Sequence, residues 1–320
     1  MRKLFLACGV LVSVWTVSSC TRSAGFKKDQ DYTQEQSNYY NHGAKTPAQR
    51  LEALGQPKKR VFVLGFWNDT PVKQADLGLF VADELKRGLF NSQRLIIPQD
   101  LNSEFTTSDF IQGDAVKVAQ LIREGRRMGV AVIVIGKISK VVFRQKGDDV
   151  GLLRQKQTLA AVDVEVKVFD VGAGREMMAI GRSADTTSSN MVAVDSNAAE
   201  AVEFRAEMIR LASRNAVQLL IPDVIRAVEK MSWQGRIAKV QGTKVFVNAG
   251  RASGLVSGDI LRVITQGDDI YDPISGAYLG RAQGQLKGTL EVVDFIGPDG
   301  AATDIHTGSN FQEGDLVQLY

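Results

Sequence analysis

Val130-Ala131-Val132-Ile133-Val134-Ile135-Gly136 places six apolar residues in succession, most of them β-branched, before a glycine. Such a run predicts a strand covered on both faces and central in its sheet. Beyond Gly136 the pattern changes to alternation. Ile138-Ser139-Lys140-Val141-Val142-Phe143-Arg144 is followed by a polar insert, Gln145 to Thr158, and then by Ala160 to Val171, where Val162, Val164, Val166 and Val168 are separated by Asp163, Glu165 and Lys167. A period of two with charges between valines predicts a strand with one wet face. Gly172-Ala173-Gly174 turns this strand back into Met177 to Arg182 as a hairpin. A strand rather than a helix follows that Gly-x-Gly, so it is a turn and not a phosphate loop.

Upstream, Arg60-Val61-Phe62-Val63-Leu64-Gly65-Phe66 reads as a buried strand closed by Asn68-Asp69-Thr70-Pro71. Leu77, Phe80, Val81, Leu85 and Leu89 then recur at helical spacing, with Asp83, Glu84, Lys86 and Arg87 opposite them. Arg94-Leu95-Ile96-Ile97 predicts a short strand ending at Pro98, and Val118, Leu121 and Ile122 mark a second helix. Downstream, a long helix is expected from about Ser196 to Leu220. Its stripe is Ala201, Phe204, Met208 and Leu211, read as core and not as a ligand box, and it stops before Pro222.

From Trp233 the chain is short strands and glycine turns. Gly235 to Val240 and Lys244 to Asn248 form a hairpin around Gln241-Gly242-Thr243, and Gly258-Asp259-Ile260-Leu261-Arg262-Val263 follows a tight turn. Asp272-Pro273-Ile274-Ser275-Gly276 is a turn in which proline fixes φ and glycine accepts a positive one. Gly288 to Phe295 and Asp315 to Tyr320 complete the set. About six strands in so short a stretch predict a small β-barrel. The expected fold class is therefore α+β: an N-terminal α/β sandwich, a mixed sheet with packed helices, followed by a small C-terminal all-β barrel of SH3-like kind.

The amino terminus, MRKLFLACGVLVSVWTVSSC, has a basic start at Arg2 and Lys3, an apolar middle from Leu4 to Val17, and small residues before Cys20. That is the layout of a bacterial lipoprotein signal, too short for an ordinary membrane-spanning helix. Cleavage between Ser19 and Cys20 would leave Cys20 as the lipidated first residue, anchoring the protein to a membrane. Thr21, where an Asp would favour inner-membrane retention, favours the outer membrane and its periplasmic face. Residues 21–55 are polar with no apolar period, as in a flexible linker. The expected organisation is thus a signal and lipobox over 1–20, a linker over 21–55, an α/β domain over 56–230 and a barrel domain over 231–320.

Composition narrows the chemistry. The chain has two cysteines and two histidines. Cys8 leaves with the signal and Cys20 is acylated, so no thiol remains for a disulfide, a nucleophile or a metal. His42 and His306 lie far apart and in no metal-ligand spacing. Asp148-Asp149 and Asp268-Asp269 are adjacent pairs in predicted loops, poorly placed to face each other as acid and base. Asp268, Asp269 and Asp272 lack the calcium-loop spacing, and no Gly-x-Ser-x-Gly elbow occurs. No enzyme activity and no cofactor are expected. The formal charge is +3 with Arg2 and Lys3 included, so the mature chain is nearly neutral and is not expected to bind nucleic acid. Lys58-Lys59-Arg60, the densest basic run, reads as a solvated lead-in to the first strand.

These residues carry a family resemblance. The unit from Val61 to about Lys230 resembles the CsgG-like α/β domain of curli-secretion lipoproteins, shared with TolB amino-terminal domains and the middle domain of flagellar assembly protein T. The resemblance rests on Val61 to Phe66 with Asn68, Val130 to Ile138, and Val162 to Gly174. The stretch from Gly235 to Tyr320 is similar to the carboxy-terminal domain of flagellar assembly protein T, through Gly242 to Phe246, Gly254 to Val263, Asp272-Pro273-x-Ser275-Gly276 and Gly314-Asp315. What the resemblance implies is a homo-oligomeric ring beneath the outer membrane, with other envelope or flagellar motor proteins as partners. The alternatives are a curli-type secretion channel and an activator of a peptidoglycan synthase. A channel would need spanning strands with apolar side chains at every second position. The charges of 144–157 argue against that, and Arg182 to Asn197 is small and polar.

Overall fold

The computed structural model describes residues 55–72, 76–99, 101, 105–113, 115–147, 153–193 and 202–320. The signal with Ser19 and Cys20, the linker as far as residue 54, His42, Asp148, Asp149 and Ala201 lie outside the described residues. The architecture is mixed α+β, an N-terminal sheet with helices followed by a closed six-stranded barrel.

The sheet has the order β1-β4-β5-β6, from β1 (Val61–Asn68), β4 (Val132–Gly147), β5 (Leu153–Asp170) and β6 (Arg175–Ala193). β1 and β4 are parallel, with Val61 opposite Val132, whereas β4-β5 and β5-β6 are antiparallel. A parallel pair requires a long crossover. That crossover contains α1 (Leu77–Asn91), a 3-10 turn (Thr107–Phe110), the two-residue strands β2 (Ile111–Gln112) and β3 (Ala115–Val116), and α2 (Val118–Arg127). α3 (Val202–Glu229) follows the sheet.

Side-chain alternation sorts the core into two layers. Val61, Val63, Val132, Val134, Ile138 and the valines at 162, 164, 166 and 168 face α1 and α3. Phe62, Ile133, Ile135, Phe169 and Val171 face Leu121 and Ile122 of α2 and Phe110. Both faces are therefore covered near Val132–Ile135, while Asp163, Glu165 and Lys167 further along β5 lie on the second, wetter face. Two glycines permit the close approach. A Cβ on Gly125 would lie 2.6 Å from Ile133 Cδ1, and one on Gly136 would lie 2.0 to 2.5 Å from three ring atoms of Phe66.

Four expectations change. Arg94 to Ile97 is not a strand but a single parallel bridge between Arg60 and Ile96. Gln93, at φ 55°, and Pro98 leave room for no longer ladder. The polar insert does not interrupt the sheet: the ladder continues through Gln145 opposite Thr158 to Gly147 opposite Lys156, because main-chain pairing needs no apolar side chains. The hairpin partner likewise extends beyond Arg182, to Ala193 opposite Leu153. Finally, α3 runs straight through Pro222. Its stripe is Met208, Ile209, Ala212, Ala216, Val217, Leu220, Val224 and Val228, with Leu211 37% exposed. Gln218 and Pro222 both face solvent, so water can take the carbonyl that proline leaves without a donor, while the buried residues beyond it hold the helix.

The barrel closes in the order β12-β13-β8-β7-β14-β9. Its strands are β7 (Gly235–Gln241), β8 (Lys244–Val247), β9 (Ile260–Ile264), β12 (Leu286–Ile296), β13 (Gly300–Gly308) and β14 (Leu316–Leu319). Trp233, Val245, Val247, Leu261, Val263, Leu290, Val292 and Val317 fill it. β13 escapes the sequence pattern because its buried residues are Ala301, Ala302 and Thr303, the last giving its hydroxyl proton to the Val245 carbonyl. Between β9 and β12 the chain leaves the barrel as a hairpin, β10 (Asp269–Tyr271) and β11 (Tyr278–Arg281).

Candidate functional site

The β10-β11 hairpin and the β5-β6 turn meet at a seam between sheet and barrel. Tyr278 stacks edge-on against Tyr271, with ring centroids 5.4 Å apart. Its hydroxyl would lie 2.3 Å from a Cβ on Gly174, so only glycine fits there. Asp272 closes the tip of the hairpin by accepting the backbone N–H groups of Ile274 and Ser275, both at 2.8 Å. Those bonds, Ser275 first, hold its carboxyl below the usual range. The acidic stretch at 268–272 therefore serves turn geometry and ion pairing. Among the described residues no group of three or more His, Cys, Asp or Glu side chains converges as a metal site.

Arg126, from the last turn of α2, reaches across the seam. Its Nη2 and Nη1 donate to the two carboxylate oxygens of Asp269 at 2.7 and 3.2 Å. Arg281 Nε lies 3.8 Å from the same carboxylate. The hydrogen bonds from Arg126, ahead of its charge and that of Arg281, keep the Asp269 carboxyl below its ordinary value. Arg236 on β7 belongs to this group. Burial, then repulsion from Arg126 and Arg281, pushes its guanidinium down to about 10, so it remains a cation at neutral pH. The backbone N–H of Arg236 donates to Asn248 Oδ1 at 2.7 Å, and Asn248 Nδ2 donates to the Gly129 carbonyl at 3.2 Å, a second tie across the seam.

Within Lys58-Lys59-Arg60, Lys58 is exposed as a solvated lead-in would be, whereas Lys59 is buried and Arg60 half-buried, which corrects that reading for both. Lys59 is 3% exposed and donates to the Glu229 carbonyl, and Arg60 donates to the Asn248 carbonyl. Burial lowers the Lys59 ammonium, opposed by Glu229 and then Asp170. Sequence reasoning missed Arg126, Arg236 and Arg281, and misread Lys59, because the partners of each lie in other elements, remote in the chain. The one local signal was the Asp-Pro-x-Ser-Gly turn, which marks the hairpin that carries Arg281.

Among the described residues, a cleft and a sheet edge are open to other molecules. On the barrel side of the seam, a cleft of about 940 Å³ is lined by residues of the β5-β6 turn, β9, β11 and β14. At the side of the sheet, β6 is the terminal strand, and among the described residues no strand pairs with its outer edge. The opposite edge, β1, is partly occupied: the N–H of Val61 donates to the Ile96 carbonyl at 2.8 Å. His306 lies exposed on β13, remote from any metal-ligand grouping. No helix among the described residues is long and apolar enough to cross a membrane.

Solved structures with some likeness include bacterial lipoproteins. A hypothetical protein from Chlamydia trachomatis aligns over 53% of this chain and 98% of its own, at 17% identity and a TM-score of 0.37. A Neisseria meningitidis lipoprotein aligns over 54% and 99%, at 12% identity and a TM-score of 0.32. The PelC dodecamer from Paraburkholderia phytofirmans aligns over 52% and 89%, at 12% identity and a TM-score of 0.28. At such scores none of them assigns a fold or a role to this chain. No protein-family model and no curated protein matches it.

Proposed function

We propose that this protein is a lipoprotein held to the periplasmic face of the outer membrane through Cys20, and a non-enzymatic building block of a ring, associated with the flagellar motor. The barrel, in this reading, is SH3-like. The observation that carries the proposal is β6, a strand of 19 residues whose outer edge pairs with no described strand. A long unpaired edge presents a row of main-chain donors and acceptors that another chain can complete. Repeated head-to-tail contact between identical subunits closes a ring where the rotation permits. Electron microscopy of the lipidated protein tests this: rings are expected, and Cys20→Ala protein should stay in solution and still form them. Monomers at every concentration in both preparations would refute it.

A second reading, a curli-type export channel, is favoured by one feature. β4, β5 and β6 are 16, 18 and 19 residues long, well beyond the nine to eleven or so that a spanning strand needs. The charged residues of the hairpin weigh against it. Ion conduction across planar bilayers separates channel from ring. Loss of swimming with normal cell shape separates the motor ring from activation of a peptidoglycan synthase.

A further inference from the structure

The cleft of about 940 Å³ beside the seam is walled by Arg175, Arg262 and Arg281, has Ile264, Leu316 and Tyr320 among its apolar lining, and has neither Asp nor Glu among the described residues of that lining. Its size falls within the range of small-molecule pockets, which combine apolar walls with a few convergent polar groups. The Arg262 side chain gives Nε to Gln318 Oε1 at 3.1 Å, which leaves its two Nη groups for a ligand. Arg281 is fixed behind the surface: its side chain is 6% exposed, Nε and Nη2 are taken by the Gly267 carbonyl and Gln266 Oε1, and Nη1 is buried with no acceptor. Asp170 lies beside Arg175, and Asp268 and Asp269 lie beside Arg281. None of the three lines the cleft, and Asp269 is already engaged by both nitrogens of Arg126. Arg236 adds further positive charge behind the wall. A concave surface with cations of one sign and low-dielectric walls concentrates its field on the space in front of it.

We propose that this cleft binds a small amphipathic anion, its phosphate or carboxylate head held by Arg175 and Arg262 and its apolar body of a few carbons laid against Ile264, Leu316 and Tyr320. Guanidinium groups pair with such heads through charge-assisted, often bidentate bonds, while the apolar lining adds binding for a carbon tail that a bare inorganic ion lacks. The site is independent of the ring reading, since it needs neither the anchor nor a second copy.

Calorimetric titration of the full chain carrying Cys20→Ser tests it, with hexyl phosphate, hexanoate, hexanol and inorganic phosphate as probes. Hexyl phosphate or hexanoate should bind at least about tenfold more tightly than either half-ligand, because head and tail each add free energy. The double variant Arg175→Gln/Arg262→Gln, at exposed positions, should weaken that binding by about tenfold or more while melting at the parent temperature. Co-sedimentation with phosphatidylglycerol vesicles distinguishes the source of the head group. Sedimentation that the double variant abolishes assigns a lipid; its absence alongside hexyl phosphate or hexanoate binding assigns a free metabolite. Hexanol binding as tightly as the anions, no binding of either anion, or undiminished binding by the double variant would overturn the proposal.

Discussion

Replacing Asp269 by Asn isolates the electrostatics of the seam. Its carboxylate takes two hydrogen bonds from Arg126, lies 3.8 Å from Arg281 Nε, and is 28% exposed against 13% for Arg126. Two unit charges about 4 Å apart attract by about 4 kcal/mol at an effective dielectric constant of about 20. Desolvation of both partners offsets part of this, and residual exposure of Asp269 screens more. Removing the acid also leaves Arg126, Arg236 and Arg281 facing one another. The expected loss is about 2–3 kcal/mol, read as a lower urea midpoint at pH 7. A double-mutant cycle with Arg126→Met should give a coupling of about 1.5–3 kcal/mol, since losing one cation relieves the others. The pH dependence follows from the depressed carboxyl. Its stabilising contribution is fully present above the unfolded value near 4 and lost as pH falls through the lower folded value, so the Asn variant should lose that part of the acid limb. A loss below about 0.5 kcal/mol, or a coupling near zero, would show that the seam does not depend on this pair.

Two further substitutions probe the sheet domain. Pro222→Ala restores an N–H to the middle of α3 at an exposed position and should raise stability by about 1–3 kcal/mol; a lower melting temperature would mean that packing around residues 223–228 depends on the proline. Gly136→Ala puts a methyl 2.0 to 2.5 Å from the Phe66 ring and should cost about 1–3 kcal/mol. Combining it with Phe66→Leu should recover part of the loss, and an unchanged urea midpoint for the single variant would refute the close approach.

Local periodicity made much of the fold legible. The apolar run at Val130–Ile135 forecasts a strand buried on both faces, and the alternation from Ala160 forecasts one wet face. Both follow from the two-residue repeat of strands, which any chain displays in its own sequence. The helical spacing of Leu77, Val81, Leu85 and Leu89 likewise names the buried side of α1. The site was far less legible. Arg126, Arg236 and Arg281 come from a helix, a barrel strand and an excursion hairpin, and nothing in their neighbourhoods distinguishes them from solvated arginines.

What the sequence determined by itself was therefore the type and buried face of most elements, because side-chain direction repeats with the backbone. Tertiary structure alone decided where ladders continued and which charges met. Main-chain hydrogen bonds carried β4, β5 and β6 through polar residues, and buried residues beyond Pro222 carried α3 past it. Closure of the barrel gave the weakly apolar β13 its place. The same packing brought Arg126, Arg236 and Arg281 together around Asp269 and buried Lys59 beside Glu229, since the free energy of a charge depends on its neighbours in space.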